Sequence, residues 1–242
     1  MKGIILAGGL GTRLHPLTKA TNKHLLPVGT EPMLYHPIKQ LTAAGIHDIL
    51  VVTSTLHMGD IVRCLGSGDE FNCHLAYCVQ ETAGGIAHAL ALAERFCGGE
   101  RLCVLLGDNV FEYCIEPYVK AYSAQSSGAR VLLKQVGDPE RFGVAALDEH
   151  QIIDIEEKPS QPKSAYAVIG LYLYDETVFE IIRGITPSVR GELEITAVNN
   201  VYIQRQQLQY SFCRGRWTDA GTFDSLFEAN RILLENRNEL LI

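Results

Sequence analysis

Near the start of the chain a glycine-rich run, Leu6-Ala7-Gly8-Gly9-Leu10-Gly11-Thr12-Arg13-Leu14, is followed by a second cation in Asn22-Lys23-His24-Leu25-Leu26-Pro27-Val28. Glycine lets backbone approach a ligand closely and adopt positive φ. Consecutive amides in such a turn can face phosphate oxygens, aided by the N-terminus of a following helix. Arg grips phosphate with a planar fork and Lys as a point charge. The chemistry these residues suggest is anion binding; the plainer reading is a tight turn between strand and helix with a surface Arg. Two familiar templates fail. The dinucleotide fingerprint wants glycine where Leu14 stands, and no Gly-Lys-Ser/Thr closes a P-loop.

Other residues are ambiguous by themselves. Asp108 ends an apolar run, at the carboxyl edge where α/β sheets bind ligands. Asp219 stands between Trp217 and Gly221, ahead of a helical pattern. Each is as readily a turn former or cap. The Gln80 amide can donate and accept, as the edge of thymine or uracil requires, or be a surface glutamine. Lys158 beside Glu157 reads first as a solvated ion pair.

These residues must be carried by regular elements. Short apolar runs at 2–7, 48–53, 74–79 and 102–106 suit strands buried on both faces of a parallel sheet. Between them, 34–44 and 85–96 have helical spacing. This alternation predicts a doubly wound, mostly parallel, Rossmann-like α/β sheet with right-handed crossovers. Strand patterns at 130–136, 143–147, 152–156 and 166–174, with few helices among them, predict an antiparallel extension. Helices are expected at 176–183, 193–206 and 223–237, the last with Leu226, Phe227, Asn230, Leu233 and Leu234 near one face. No linker or repeat interrupts the chain. The expectation is a single three-layer domain over 1–242, with a mainly nucleotide-binding half at 1–110 and a mainly sugar-binding half at 111–242.

Composition sets the background. With 21 Lys and Arg against 28 Asp and Glu, the formal charge of −7 and the lack of a basic run argue against a nucleic-acid partner. Any anionic ligand must be met by a local cluster. The seven cysteines are odd in number and form no C-x-x-C; they read as buried thiols in a reducing cytosol. No apolar run reaches the roughly 18 residues of a membrane span. The first run is too short for a signal peptide. The expected location is cytoplasmic, with no membrane partner.

The run Gly8 to Leu14 with Pro16, then Lys23 to Val28, resembles the signature of the sugar-1-phosphate nucleotidyltransferases. Within that family it is most similar to the short-form branch that transfers thymidylyl groups to glucose 1-phosphate. Further matching segments occur in family order: Val79-Gln80-Glu81 with Gly84-Gly85-Ile86-Ala87, Leu106-Gly107-Asp108-Asn109, Asp138 to Val144, Glu156-Glu157-Lys158-Pro159, Tyr166 to Tyr172, Arg190 to Thr196 and Trp217 to Thr222. The resemblance implies dTTP (or UTP) and glucose 1-phosphate as substrates and pyrophosphate as co-product. It places Leu6, Gly8, Gly9, Gly11, Thr12, Arg13, Lys23, Gln80, Gly85 and Asp108 on the nucleotide. It places Asn109, Gly143, Glu157, Lys158 and Tyr172 on the sugar phosphate, and Mg²⁺ on Asp108 and Asp219. Arg13, Lys23 and Lys158 are the expected catalytic residues, and Trp217 is left to the core. His24 and His88 stand where the family often has Gln, which leaves dTTP against UTP open.

The implied reaction is in-line attack of a sugar-phosphate oxygen on the α-phosphorus, which needs alignment and charge dispersal but no general base. Rivals are a uridylyl- or other nucleotidyltransferase, a catalytically silent nucleotide-sensing subunit, and, weakened by Leu14, an NAD-dependent oxidoreductase. A homo-oligomer, dimer or tetramer, is implied by the resemblance. Longer members carry further C-terminal helices and a regulatory site, so the resemblance does not by itself extend feedback control to this chain.

Overall fold

The computed structural model describes residues 1–239. In chain order the strands are β1 (Lys2–Ala7), β2 (Pro27–Val28), β3 (Glu31–Pro32), β4 (Asp48–Ser54), β5 (His74–Gln80), β6 (Leu102–Leu106) and β7 (Val110–Phe111). They continue as β8 (Ala129–Gln135), β9 (Gly143–Asp148), β10 (Gln151–Glu157), β11 (Tyr166–Tyr174), β12 (Leu208–Phe212) and β13 (Trp217–Thr218). The helices are α1 (Tyr35–Ala43), α2 (Met58–Leu65), α3 (Ile86–Ala91), α4 (Glu94–Cys97), α5 (Glu116–Ser123), α6 (Val178–Gly184), α7 (Ile195–Gln204) and α8 (Phe223–Glu239). The fold is mixed α/β with a mostly parallel central sheet, as the alternation of patterns predicts.

The residues divide into two compact units, each built from separated segments. The first comprises 2–83, 105–117 and the chain from Arg214 onward; the second comprises 84–104 and 118–213. In the first unit the strand order is β6-β1-β4-β5, with β6 entering through its last two residues. β1–β4 and β4–β5 are parallel, with Leu6 opposite Val52 and Ser54 opposite Gln80. The interior of β1 and β4 is buried on both faces, which explains their unbroken apolar runs. Helix α1 covers the step from β1 to β4, burying Ile38 and Leu41, and stops at Gly45, whose φ is +79°. Two-stranded ribbons β2–β3 and β7–β13 flank this sheet's segments in the chain. Helix α8 backs both ribbons: Leu226, Ala229, Ile232 and Leu233 pack with Val28, Met33, Val110 and Ala220. Asn230 accepts the Gly29 N–H at 2.9 Å. Phe227 and Leu234 lie on the exposed side of α8, not with Leu226 and Leu233 as the spacing suggested.

The second unit holds the antiparallel extension. β11 pairs antiparallel with β8 and with β9, and β9 with β10. β12 adds in parallel to β8. A register shift between Ile169 and Tyr172 sets which face of β11 its later residues occupy. Asn200 of α7 bridges both polar groups of Ile155, accepting its N–H and donating to its carbonyl, which fixes the helix on β10. The helix expected over 85–96 is broken into α3 and α4. The Ala93 N–H bonds to the Leu90 carbonyl, a tighter turn than the α-helical spacing. Elements α2, α5 and β12 are additional to those the sequence patterns predict.

Candidate active site

The glycine loop of the first unit is shaped by the side chains that press on it. A Cβ on Gly8 would lie 2.7 Å from Gln80 Oε1, and one on Gly11 would lie 2.8 Å from Lys23 Cβ. The Gly9 position is 3.4 Å from Lys23 Cε. The glycines thus admit Gln80 and Lys23 to the loop. Gly11 sits at φ +65° with its carbonyl held by Thr18 Oγ1, 2.9 Å away. The chain then makes a three-residue 3₁₀ turn, Thr12–Leu14. No α-helix N-terminus follows the loop directly. Arg13 reaches the far end of the chain: its Nη2 is 3.0 Å from where a Gly221 Cβ would stand, and Asp219 Oδ2 is 3.5 Å from the same point. The carbonyl of Leu6 accepts the Gly107 N–H at 2.9 Å.

Lys23 is buried on the third 3₁₀ turn, Lys23–Leu25, capped by Asn22, whose Oδ1 accepts both the backbone N–H and the ring Nδ1–H of His24, at 2.8 and 2.7 Å. Its ammonium forms an ion pair with Asp108 Oδ2. Burial alone would raise the Asp108 carboxyl. Lys23 and His24, with hydrogen bonds from Lys23 and Asn109, outweigh it and hold the carboxyl below its ordinary range. Burial, reinforced by the Lys23 charge, pushes His24 down to about 3, so its ring is neutral at physiological pH.

The second carboxylate comes from the β7–β13 ribbon. Thr218 pairs with Val110 and Trp217 with Phe111, so one step further along the ribbon stand Asn109 and Asp219. The turn at Asp219 is sharp: Ala220 has φ +37°, and the Gly221 N–H points to Asp219 Oδ1 at 3.5 Å. Among the described residues no group of three or more His, Cys, Asp or Glu could cage a metal. Two carboxylates, one held ionised, match a cation such as Mg²⁺ that takes its remaining ligands from phosphate oxygens and water.

A family model of nucleotidyl transferases matches residues 2–236. The chain belongs to the nucleotidyl transferase family. It is similar to the glucose-1-phosphate thymidylyltransferase of Neisseria meningitidis, 45% identical over 95% of this chain and 81% of the relative. That of Mycobacterium tuberculosis is 41% identical over 100% of this chain and 86% of the relative. A solved structure from Bacillus anthracis, assigned as a glucose-1-phosphate thymidylyltransferase and in complex with sucrose, superposes with a TM-score of 0.92 at 56% identity, covering 96% of this chain and 94% of that one. A UDP-glucose pyrophosphorylase complexed with UDP-glucose shares the fold, with a TM-score of 0.85 at 24% identity over 97% and 98% of the two chains.

The second unit of this nucleotidyltransferase carries Gly85 and most residues expected on the sugar side. Glu157 ends β10, with its Oε2 accepting from Thr196 Oγ1. Its Oε1 faces Lys158 Nζ at 3.8 Å and Arg190 Nη1 at 3.7 Å. Gly143 makes room for this pair: a Cβ there would lie 3.0 Å from Thr196 Oγ1. Lys158 adopts φ +44°, its N–H bonded to the Phe142 carbonyl at 2.9 Å, and its side chain is 44% exposed. Tyr172 is buried, stacked on Tyr174 with centroids 6.1 Å apart. Gly85, at φ +93°, would place a Cβ 2.6 Å from the Leu193 carbonyl oxygen. Backbone bonds from Ala87 to Leu193 and from Leu193 to Gly84 pin its turn to the Arg190–Thr196 segment.

Other side chains hold the expected site residues in place. Asn22 caps the Lys23 turn, and Arg190 and Thr196 hold Glu157. Trp217, left to the core, is half-buried and donates from Nε1 to Asn109 Oδ1 at 2.8 Å. Asn109 itself is in the first unit, away in the chain from the other sugar-side residues, and its Nδ2 donates to Asp108 Oδ1 at 2.9 Å. Cys114 is exposed, unlike the buried thiols Cys73, Cys97, Cys103 and Cys213, and Cys64 and Cys78 are half-buried; all seven are free.

Proposed function

We propose that this nucleotidyltransferase transfers a thymidylyl group from dTTP to glucose 1-phosphate, giving dTDP-glucose and pyrophosphate. The observation that carries this reading is the cluster at the glycine loop: Arg13, Lys23, Gln80, Asp108 and Asp219 gathered in one unit of a chain 45% identical to a relative of that name. A phosphate oxygen of the sugar attacks the α-phosphorus, its new P–O bond forms as the bond to the β-phosphate breaks, and pyrophosphate departs. The attacking oxygen is already anionic, so the side chains align and spread charge. Lys23 is paired with Asp108 before substrate arrives, and the triphosphate offers Lys23 a new anionic partner at the α-phosphate. Arg13 meets the charge growing on the leaving pyrophosphate, and Lys158 holds the attacking phosphate with Glu157 beside the hexose. Asp108 and Asp219 would hold Mg²⁺, which, when bound, neutralises phosphate charge as a Lewis acid.

Gln80 supports a pyrimidine with an O4 and N3–H edge, which thymine and uracil share. Uridylyl transfer is therefore the second reading. A matrix of dTTP, UTP, CTP, ATP and GTP against several hexose 1-phosphates, scored by pyrophosphate release, decides between them. Highest kcat/KM with dTTP and glucose 1-phosphate is expected; preference for UTP, or no release with any pair, overturns the proposal. Within that assay Arg13→Ala or Lys158→Ala costs about 100–1000-fold. We assign nucleotide recognition mainly to 1–110 and sugar recognition mainly to 111–242, a homo-oligomeric state that light scattering tests, and a cytoplasmic location that suits seven free thiols.

A further inference from the structure

The chain has one tryptophan, and its ring nitrogen is committed to a residue adjacent to Asp108. We propose that Trp217 is a positioning residue for the metal-holding carboxylate, acting through Asn109. The inference rests on the reading above that Asp108 and Asp219 take a divalent cation.

The chain of bonds has a fixed direction. Indole Nε1–H can only donate, so Asn109 must turn its carbonyl oxygen toward Trp217, at 2.8 Å. That choice leaves Nδ2 on the other side of the amide, where it donates to Asp108 Oδ1 at 2.9 Å. A flipped amide would set carbonyl oxygen against carboxylate and NH₂ against N–H. Asn109 is 3% exposed, which leaves bulk water little room to mend a flip. Asp108 is thus held at both oxygens, by a neutral donor on Oδ1 and by the Lys23 ammonium on Oδ2. The indole is itself anchored by backbone: Trp217 pairs with Phe111 in the ribbon that also delivers Asp219. One two-stranded ribbon therefore sets the position of one carboxylate directly and the orientation of the other through an indole and an amide. Outer partners of this kind tune how well a carboxylate accepts a metal.

The test is Mn²⁺ binding to the full chain without nucleotide or sugar, read by electron paramagnetic resonance, with thermal melting alongside. Trp217→Phe keeps the ring and removes the N–H. Mn²⁺ binding about 10–100-fold weaker than in the native chain is expected. Asn109→Leu, close in shape and without polar atoms, reads the same link from its other end and serves if Trp217→Phe misfolds. The double variant binds no worse than Asn109→Leu alone, and Trp217→His, which restores a ring N–H, recovers part of the loss. Native Mn²⁺ affinity in Trp217→Phe, while Asp108→Asn loses it, overturns the proposal, as does additivity of the two substitutions. Native affinity in Asp108→Asn overturns the metal reading itself, and this inference with it.

Discussion

His24 shows what a single buried side chain can impose on the molecule. Its imidazole is 1% exposed, donates to Asn22 and stands next to a buried ammonium, so protonation is held off until about pH 3. The unfolded chain takes up that proton near 6.5. Between those values the unfolded state binds more protons, so stability is full above about 6.5 and falls as pH drops, by up to about 1.4 kcal/mol per pH unit from this residue. Urea unfolding at pH 7.5, 6.0 and 5.0 should show that slope in the native chain and its reduction in His24→Gln. A slope unchanged by the substitution would assign acid sensitivity elsewhere. Arg13 and Lys23 could be singled out as anion-binding candidates from residue type and position, and Asp108 only through the family resemblance. The roles of Asn22, Asn109 and Trp217 could not, because an amide or indole declares its work only through the partner it meets.

At the scale of elements, apolar continuity exposed the buried strands, since β1, β4 and β6 are covered on both faces over most of their length. The β7–β13 ribbon escaped because its strands have two residues each, too few for any period to register. The same holds for the three-residue 3₁₀ turns that follow the glycine loop. Gly85 offers an element-level test. Alanine there would take on both a positive φ and a 2.6 Å contact with the Leu193 carbonyl oxygen. Strain of this kind costs roughly 1–3 kcal/mol. Gly85→Ala should therefore lower the midpoint of thermal unfolding and loosen the Arg190–Thr196 segment. Hydrogen exchange at Ala87 and Leu193, whose N–H groups close that turn, would report it. Unchanged protection would show that the turn shifts without releasing its neighbour.

For the whole molecule, the absence of a visible linker has a physical cause. Each unit is assembled from stretches distant in the chain, so no single segment marks a boundary. The net charge of −7 also takes on meaning: attraction for a triphosphate must come from a few cations against an adverse background. Ligand binding to the folded state alone adds about 2.7 kcal/mol at a hundredfold excess over Kd. For a chain of this size that corresponds to a rise of roughly 5–10 °C in Tm. Calorimetry with dTTP and Mg²⁺ should show it, and Arg13→Ala should shrink it; equal shifts would remove Arg13 from the nucleotide's partners.

The ribbon that joins residues 110–111 to 217–218 also sets a timetable. On the ribosome, Asp108 and the glycine loop emerge long before Asp219. Until Trp217 and the helix behind it have left the exit tunnel, Asn109 has no indole to face and the second carboxylate does not exist. Competence for the proposed chemistry therefore waits on residues 217–219, and a nascent chain halted before them lacks the second carboxylate proposed to hold the metal.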